Sequence, residues 1–170
     1  MTTNAPAEIS SVYLDSCVLI AAVCCPDVTV RDELRELFNQ MDNGRLIAYT
    51  STFTLSEVRT FKIDATPVPE DDPDAVAIRG LLNSRRIIKR PLIEYLGARA
   101  QQIGMDNPLL MPGDCVHIAT AEQMKVDVLF TYDGGYKVGR RKPDRMLAYD
   151  GQHPVRLAHS TGVQPARAAL

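Results

Sequence analysis

Residues 113–133 read GDCVHIATAEQMKVDVLFTYD, and their pattern decides the fold class. The first half is rich in alanine with a polar start, as in a buried helix opening after Pro112. The second half, 126–133, is a short apolar run, as in a strand buried on both faces. Asp114, Cys115 and His117 stand together at the mouth of the helix. They raise three readings: a Cys–His catalytic pair, a metal site, or a capped helix with a polar start. Cys115 and His117 are two positions apart, so on a helix they face different ways and do not form a nucleophile–base pair. Cys115 is expected in the core. His117 follows Asp114 by three positions and shares its face, either near a site or packed and hydrogen-bonded.

Working outward, apolar strands and helices keep alternating. "SVYLDSCVLIAAV" (11–23) opens with Val12, Tyr13 and Leu14, expected to be a buried strand ending at Asp15 before a helical start. "VRDELRELFNQMDNG" puts Leu34, Leu37, Phe38 and Met41 on one helical face, with Gly44 as the stop. "RLIAYTS" (45–51) reads as a second strand, "TLSEVRTFK" as the start of a helix, and "RRIIKR" (85–90) as a short strand. "LIEYLGARAQQIG" (92–104) reads as a helix ending at Gly104. Such alternation predicts an α/β fold with a parallel sheet covered on both faces. The Pro- and Asp-rich 63–75 reads as a surface loop. Residues 1–150 are expected to form one domain, with 151–170 a peripheral or partly disordered tail. There is no internal repeat.

Composition narrows the class. The chain has 170 residues and a formal charge of −2, which argues against a strongly basic nucleic-acid binder but leaves local basic patches open. No apolar run approaches the roughly 20 residues of a membrane span. The start "MTTNAPAEIS" lacks the pattern of a secretory signal. Cys17, Cys24, Cys25 and Cys115 form no C-x-x-C pair, so inert thiols in a reduced, cytoplasmic compartment are expected. There is no G-x-G-x-x-G or Walker motif, hence no support for a dinucleotide or P-loop enzyme.

Four acids attract attention. Open α/β sheets bind ligands beyond the carboxyl ends of their strands, where Asp15 and Asp133 each close a strand. Glu57 lies in the first turn after the second strand, and Asp114 in the first turn of the helix before the last one. Each has a bland alternative. Thr54-x-x-Glu57 fits a capping box, Asp114 fits an N-terminal helix acid, and Asp133 before Gly-Gly fits a turn. Asp15 is harder to dismiss, because a carboxylate interrupting a buried apolar run costs several kcal/mol, roughly, unless compensated. Converging carboxylates repel unless a cation neutralises them. An all-oxygen set suits Mg2+ or Mn2+ and metal-assisted phosphodiester chemistry.

"VYLDSCVLIA", "TLSEV" and "GDCVHIATAEQMKVDVLFTYD", in this order, resemble the motifs of PIN-domain ribonucleases, and within them the VapC-like toxins of bacterial type II toxin–antitoxin pairs. The match runs from about Val12 to about Tyr136. Its most specific part is D-x-x-H-x-A-T-A followed by an apolar strand ending T-x-D. The resemblance implies a PIN-like three-layer α/β/α fold with a central parallel sheet and metal-dependent endoribonuclease activity using Mg2+ or Mn2+. Asp15, Glu57, Asp114 and Asp133 match the family's acidic positions, with Asp15, Asp114 and Asp133 as metal ligands. Ser16 and Thr131 match supporting hydroxyl positions; His117, read from its place on the helix and left open between site and packing, is a further candidate support. A homodimer and a cognate antitoxin partner are also implied. Cys17 stands where many relatives carry Asn or Ser, which removes one hydrogen-bonding side chain.

Basic residues gather in 85–90 and in "KVGRRKPDR" (137–145). Arg140, Arg141 and Lys142 are the candidates for positioning an RNA backbone. The alternative function is a catalytically silent PIN-like module that binds RNA or protein. Metal titration separates the two.

Overall fold

The computed structural model describes residues 9–58 and 69–132, and the backbone of 156–159. Five strands form one parallel sheet: β1 (Ser11–Leu14), β2 (Ile47–Ser51), β3 (Ile87–Arg90), β4 (Val128–Thr131) and β5 (Arg156–His159). Six helices accompany them among the described residues: α1 (Ser16–Cys24), α2 (Val28–Asp42), α3 (Thr54–Glu57), α4 (Pro73–Asn83), α5 (Glu94–Asp106) and α6 (Pro112–Met124). The spatial order is β3-β2-β1-β4-β5. The chain builds outward from β1 through β2 to β3, then returns to the other side of β1 with β4. That reversal is the switch point at which such sheets carry their ligands.

The period of two along each strand sorts side chains between two layers. Val12, Leu14, Ala48, Ile87, Val128 and Phe130 pack with Val18, Leu19, Leu34, Leu37, Ile78 and Leu82, which come from α1, α2 and α4. The intervening Tyr13 and Leu129 turn to the opposite face, against Leu96 and Ile103 of α5 and Cys115 and Ile118 of α6. The three-layer α/β/α arrangement expected from the alternation is therefore present. A wholly buried leucine such as Leu19 or Leu129 contributes roughly 2 kcal/mol.

Helix boundaries follow local chemistry. Asp27 caps α2 by accepting from Thr29 N–H at 2.8 Å. At its other end Gly44 has φ +68°, the left-handed conformation that glycine adopts without strain. Leu34, Leu37 and Met41 are buried as their spacing predicts, while Phe38 is half-buried against the same cluster.

Two expectations need correction. Part of the stretch read as a loop over 63–75 is helical, because α4 begins at Pro73 and the Asp72 side chain accepts from the N–H groups of Asp74 and Ala75. Asp72-Pro73 is helix-start chemistry, with an acid at the cap and proline at the first helical position. Helix α5 runs through Gly104 to Asp106. This glycine serves close packing rather than termination, since a Cβ there would stand 3.3 Å from Cys115 Sγ on α6. Residues 156–159 add β5 at the sheet edge, beside β4. No helix among the described residues is long and apolar enough to cross a membrane.

Candidate active site

Asp15 directly follows β1 and caps α1, and its N–H donates to Phe130 O at 3.2 Å. The residue is 4 % exposed. Burying a carboxylate is tolerated only with compensating partners, and the neighbours supply them. Oδ1 accepts from Ser16 N–H at 2.6 Å and from Ser16 Oγ at 3.2 Å. Oδ2 accepts from Thr131 Oγ1 at 2.7 Å and from Cys17 Sγ at 3.1 Å. Ser16 and Thr131 thus both donate to the acid.

Cys17 corrects an expectation. Its thiol does not leave a gap in the hydrogen bonding. It donates to Asp15, lies 3.3 Å from Thr131 Oγ1 and accepts from Tyr132 N–H at 3.1 Å. Burial, and then the Asp15 charge, push the thiol well above its usual range, which keeps the proton on sulfur.

His117, 1 % exposed, aims from α6 into the same point. Its Nε2 lies 2.7 Å from Glu57 Oε2 and 3.2 Å from Asp15 Oδ1. Its Nδ1 lies 2.8 Å from the Tyr13 hydroxyl. Burial alone lowers the imidazole pKa. The Asp15 charge, the bond to Glu57 and the charges of Glu57 and Asp114 outweigh it, so the pKa is raised. Burial and the Asp15 charge hold the Tyr13 phenol protonated, far above its ordinary range. Phe53 meets the imidazole edge-on, with ring centroids 5.9 Å apart.

Glu57 ends the four-residue α3. The capping box suggested by Thr54-x-x-Glu57 does not form. Phe53 occupies the cap position without a side-chain bond, and the buried Thr54 hydroxyl lies 2.8 Å from Thr50 Oγ1. Glu57 is instead turned toward His117.

Asp114 does form the helix-terminal contact, accepting from Met111 N–H at 2.8 Å. Its charge still acts on His117. The closest grouping of ligating side chains among the described residues is Asp15, Glu57 and His117, one donor atom from each within 4.8 Å of the others. Cys115 goes to the core and away from this group, as helical geometry predicts. Asp133, Arg140, Arg141 and Lys142 lie outside the described residues.

Two residues escaped the reading of the sequence. Tyr13 had a signal, because alternation sends it to the opposite face from Val12 and Leu14, toward α6. Gly113 had none. A Cβ there would stand 2.7 Å from Glu57 Oε1 and 3.4 Å from Phe53 Cε1, so the bare backbone at the start of α6 makes room for the Glu57 carboxylate. Two carboxylates, an imidazole and the nearby Asp114 give a concentrated negative site with oxygen and nitrogen donors. That donor set fits a divalent cation.

Residues 12–141 match the model of the family described as PIN domain. No curated protein matches the chain significantly. Several solved structures share the fold. One is VapC20 of Mycobacterium tuberculosis, described as a sarcin-ricin loop cleaving toxin. It is 14 % identical, with a TM-score of 0.57, and the match covers 77 % of this chain and 99 % of that one. Another is VapBC2 of Rickettsia felis bound to a promoter DNA fragment, at 9 % identity and a TM-score of 0.59, covering 88 % and 98 %. FitAcB of Neisseria gonorrhoeae is 19 % identical with a TM-score of 0.53, covering 86 % and 95 %. At these identities the likeness establishes the shared fold alone.

Proposed function

The chain belongs to the PIN-domain family, and from that premise we propose that it is a divalent-cation-dependent endoribonuclease, the toxin of a toxin–antitoxin pair. One observation carries the reading. Asp15 and Glu57, 42 positions apart in the sequence, converge on His117 at the carboxyl end of β1, beside the switch point of the sheet.

The residues divide the work as follows. Asp15 holds the ion, its carboxylate fixed by Ser16, Cys17 and Thr131. Asp114 and Asp133 complete the acidic set, and Glu57 binds the ion or orients the attacking water. A bound Mg2+ or Mn2+ supplies an acidified water and offsets charge building on the phosphoryl oxygens. Arg140, Arg141 and Lys142 position the RNA backbone, which makes affinity salt-dependent. The activity described for the M. tuberculosis relative makes structured RNA the first substrate to test. A homodimer and an antitoxin partner, in a cytoplasmic setting, belong to the same proposal.

The test is incubation of the purified full chain with varied RNAs and Mg2+ or Mn2+. Cleavage is expected, and it is lost on chelation and in Asp15→Asn. RNAs left intact by the folded wild type, with the variant behaving identically, sink the proposal and favour a binding module.

A further inference from the structure

We propose that His117 is itself a metal ligand, through Nε2, so that Asp15, Glu57 and His117 form a mixed oxygen–nitrogen site that selects Mn2+ over Mg2+. The inference deepens the divalent-cation reading above and rests on it.

The donor atoms are spaced as an ion would need. Adjacent ligands around an octahedral ion with bonds of about 2.1 Å stand about 3.0 Å apart, and opposite ones about 4.2 Å. Nε2 lies 2.7 Å from Glu57 Oε2 and 3.2 Å from Asp15 Oδ1. One donor atom from each of the three residues falls within 4.8 Å of the others. An ion among these atoms therefore needs only small shifts of side chains already aimed at one point.

The far side of the ring is held as well. A ligating Nε2 must present its lone pair, which leaves the ring proton on Nδ1. That nitrogen meets the Tyr13 hydroxyl at 2.8 Å, whose oxygen can accept a hydrogen bond from that proton. Partners of this kind on the non-ligating nitrogen are the usual way a ligand histidine is held in tautomer and orientation. Tyr13 is wholly buried on the sheet, and Phe53 packs T-shaped against the imidazole. The imidazole is thus clamped in its plane with Nε2 toward the carboxylates.

Donor chemistry favours the same assignment. Mg2+ keeps its waters and favours oxygen, whereas imidazole suits later first-row ions, and affinity rises along that series from Mn2+. A nitrogen among carboxylates therefore tilts the site away from Mg2+.

The deciding experiment is pulsed EPR on the full-length wild-type protein loaded with Mn2+, read for the nitrogen-14 coupling of a directly bound imidazole. That coupling is expected. Competition with Mg2+ should show a Mn2+ preference that falls about tenfold in His117→Gln, with the coupling gone. Tyr13→Phe should retain the coupling and weaken Mn2+ binding by roughly tenfold. Circular dichroism checks the folding of each variant, and the wild-type spectrum decides the matter even where His117→Gln does not fold. A bound Mn2+ showing only water-proton couplings overturns the ligand role and leaves the divalent-cation reading standing. A folded wild type that binds no Mn2+ overturns both.

Discussion

Gly113 and Glu57 are packed so closely that a β-carbon on the glycine would stand 2.7 Å from Glu57 Oε1. Real side chains do not tolerate that distance, so Gly113→Ala must displace the Glu57 carboxylate from its present place beside His117. Alanine is the better helix former by about 1 kcal/mol in a helix interior, so stability should hold. Divalent-cation affinity and RNA cleavage should both fall, by about tenfold for a displaced supporting group. Calorimetric titration alongside a melting curve checks the split. Unchanged metal affinity would show that Glu57 does not act on the ion.

Thr131→Val tests the support of Asp15 with little change of shape. The substitution removes the 2.7 Å bond to Oδ2 and leaves a buried carboxylate short of a donor, at a cost of about 1–3 kcal/mol. Urea denaturation should show a lower midpoint with an unchanged slope. An unaltered midpoint would mean that Cys17 and Ser16 suffice.

Asp127 ties the start of β1 to β4. Its Oδ2 accepts from Ser10 N–H and Ser11 N–H, each at 2.9 Å, and from both serine hydroxyls at 3.0 Å. Partial burial pushes the carboxyl up, but the bonds from Ser10 and Ser11 outweigh it, so its pKa is lowered on folding. A carboxylate with a depressed folded pKa contributes stability above its unfolded pKa, about 3.9, and that contribution fades as pH falls through the folded value. Asp127→Asn should therefore lower stability at pH 7, by about 1 kcal/mol. The gap from wild type should close below pH 4. Denaturation curves across pH 3–7 check it, and a gap independent of pH would contradict the account.

Lys89 offers a control on β3, a strand that carries none of the acids. Its Nζ donates to Leu82 O at 2.7 Å, Ser84 O at 3.2 Å and Ile87 O at 3.3 Å. The first two lie at the end of α4, which leaves such carbonyls without helical partners. Lys89→Met keeps the apolar stem and removes the donors, and should cost about 1–3 kcal/mol with metal affinity unchanged. A loss of metal binding would mean that the α4–β3 corner is coupled to the site.

Much of this molecule was legible in its residues. The period-two runs at 12–14 and 128–130 give buried strands, and the same alternation separates Tyr13 and Leu129 from their neighbours. The helical offset between Cys115 and His117 sends the thiol to the core. Asp15 announces itself as an acid that a buried apolar strand end does not accommodate without partners. What stayed hidden depends on contacts between distant elements. Asp72-Pro73 reads equally as loop or helix start until α4 is seen, and Gly104 reads as a stop until Cys115 is placed against it.

The acid and imidazole at the head of "GDCVHIATA" show where that division falls. The sequence by itself determines that both lie on one face at the start of a helix, because 3.6 residues per turn is a local property of the chain. Only the tertiary structure decides that Asp114 turns back to Met111 while His117 meets Glu57 and Asp15. A carboxylate in a first helical turn satisfies the local N–H or a distant partner equally well. The choice is made by the crossover that lays α6 over β1 and β2, bringing together groups 60 and 102 positions apart.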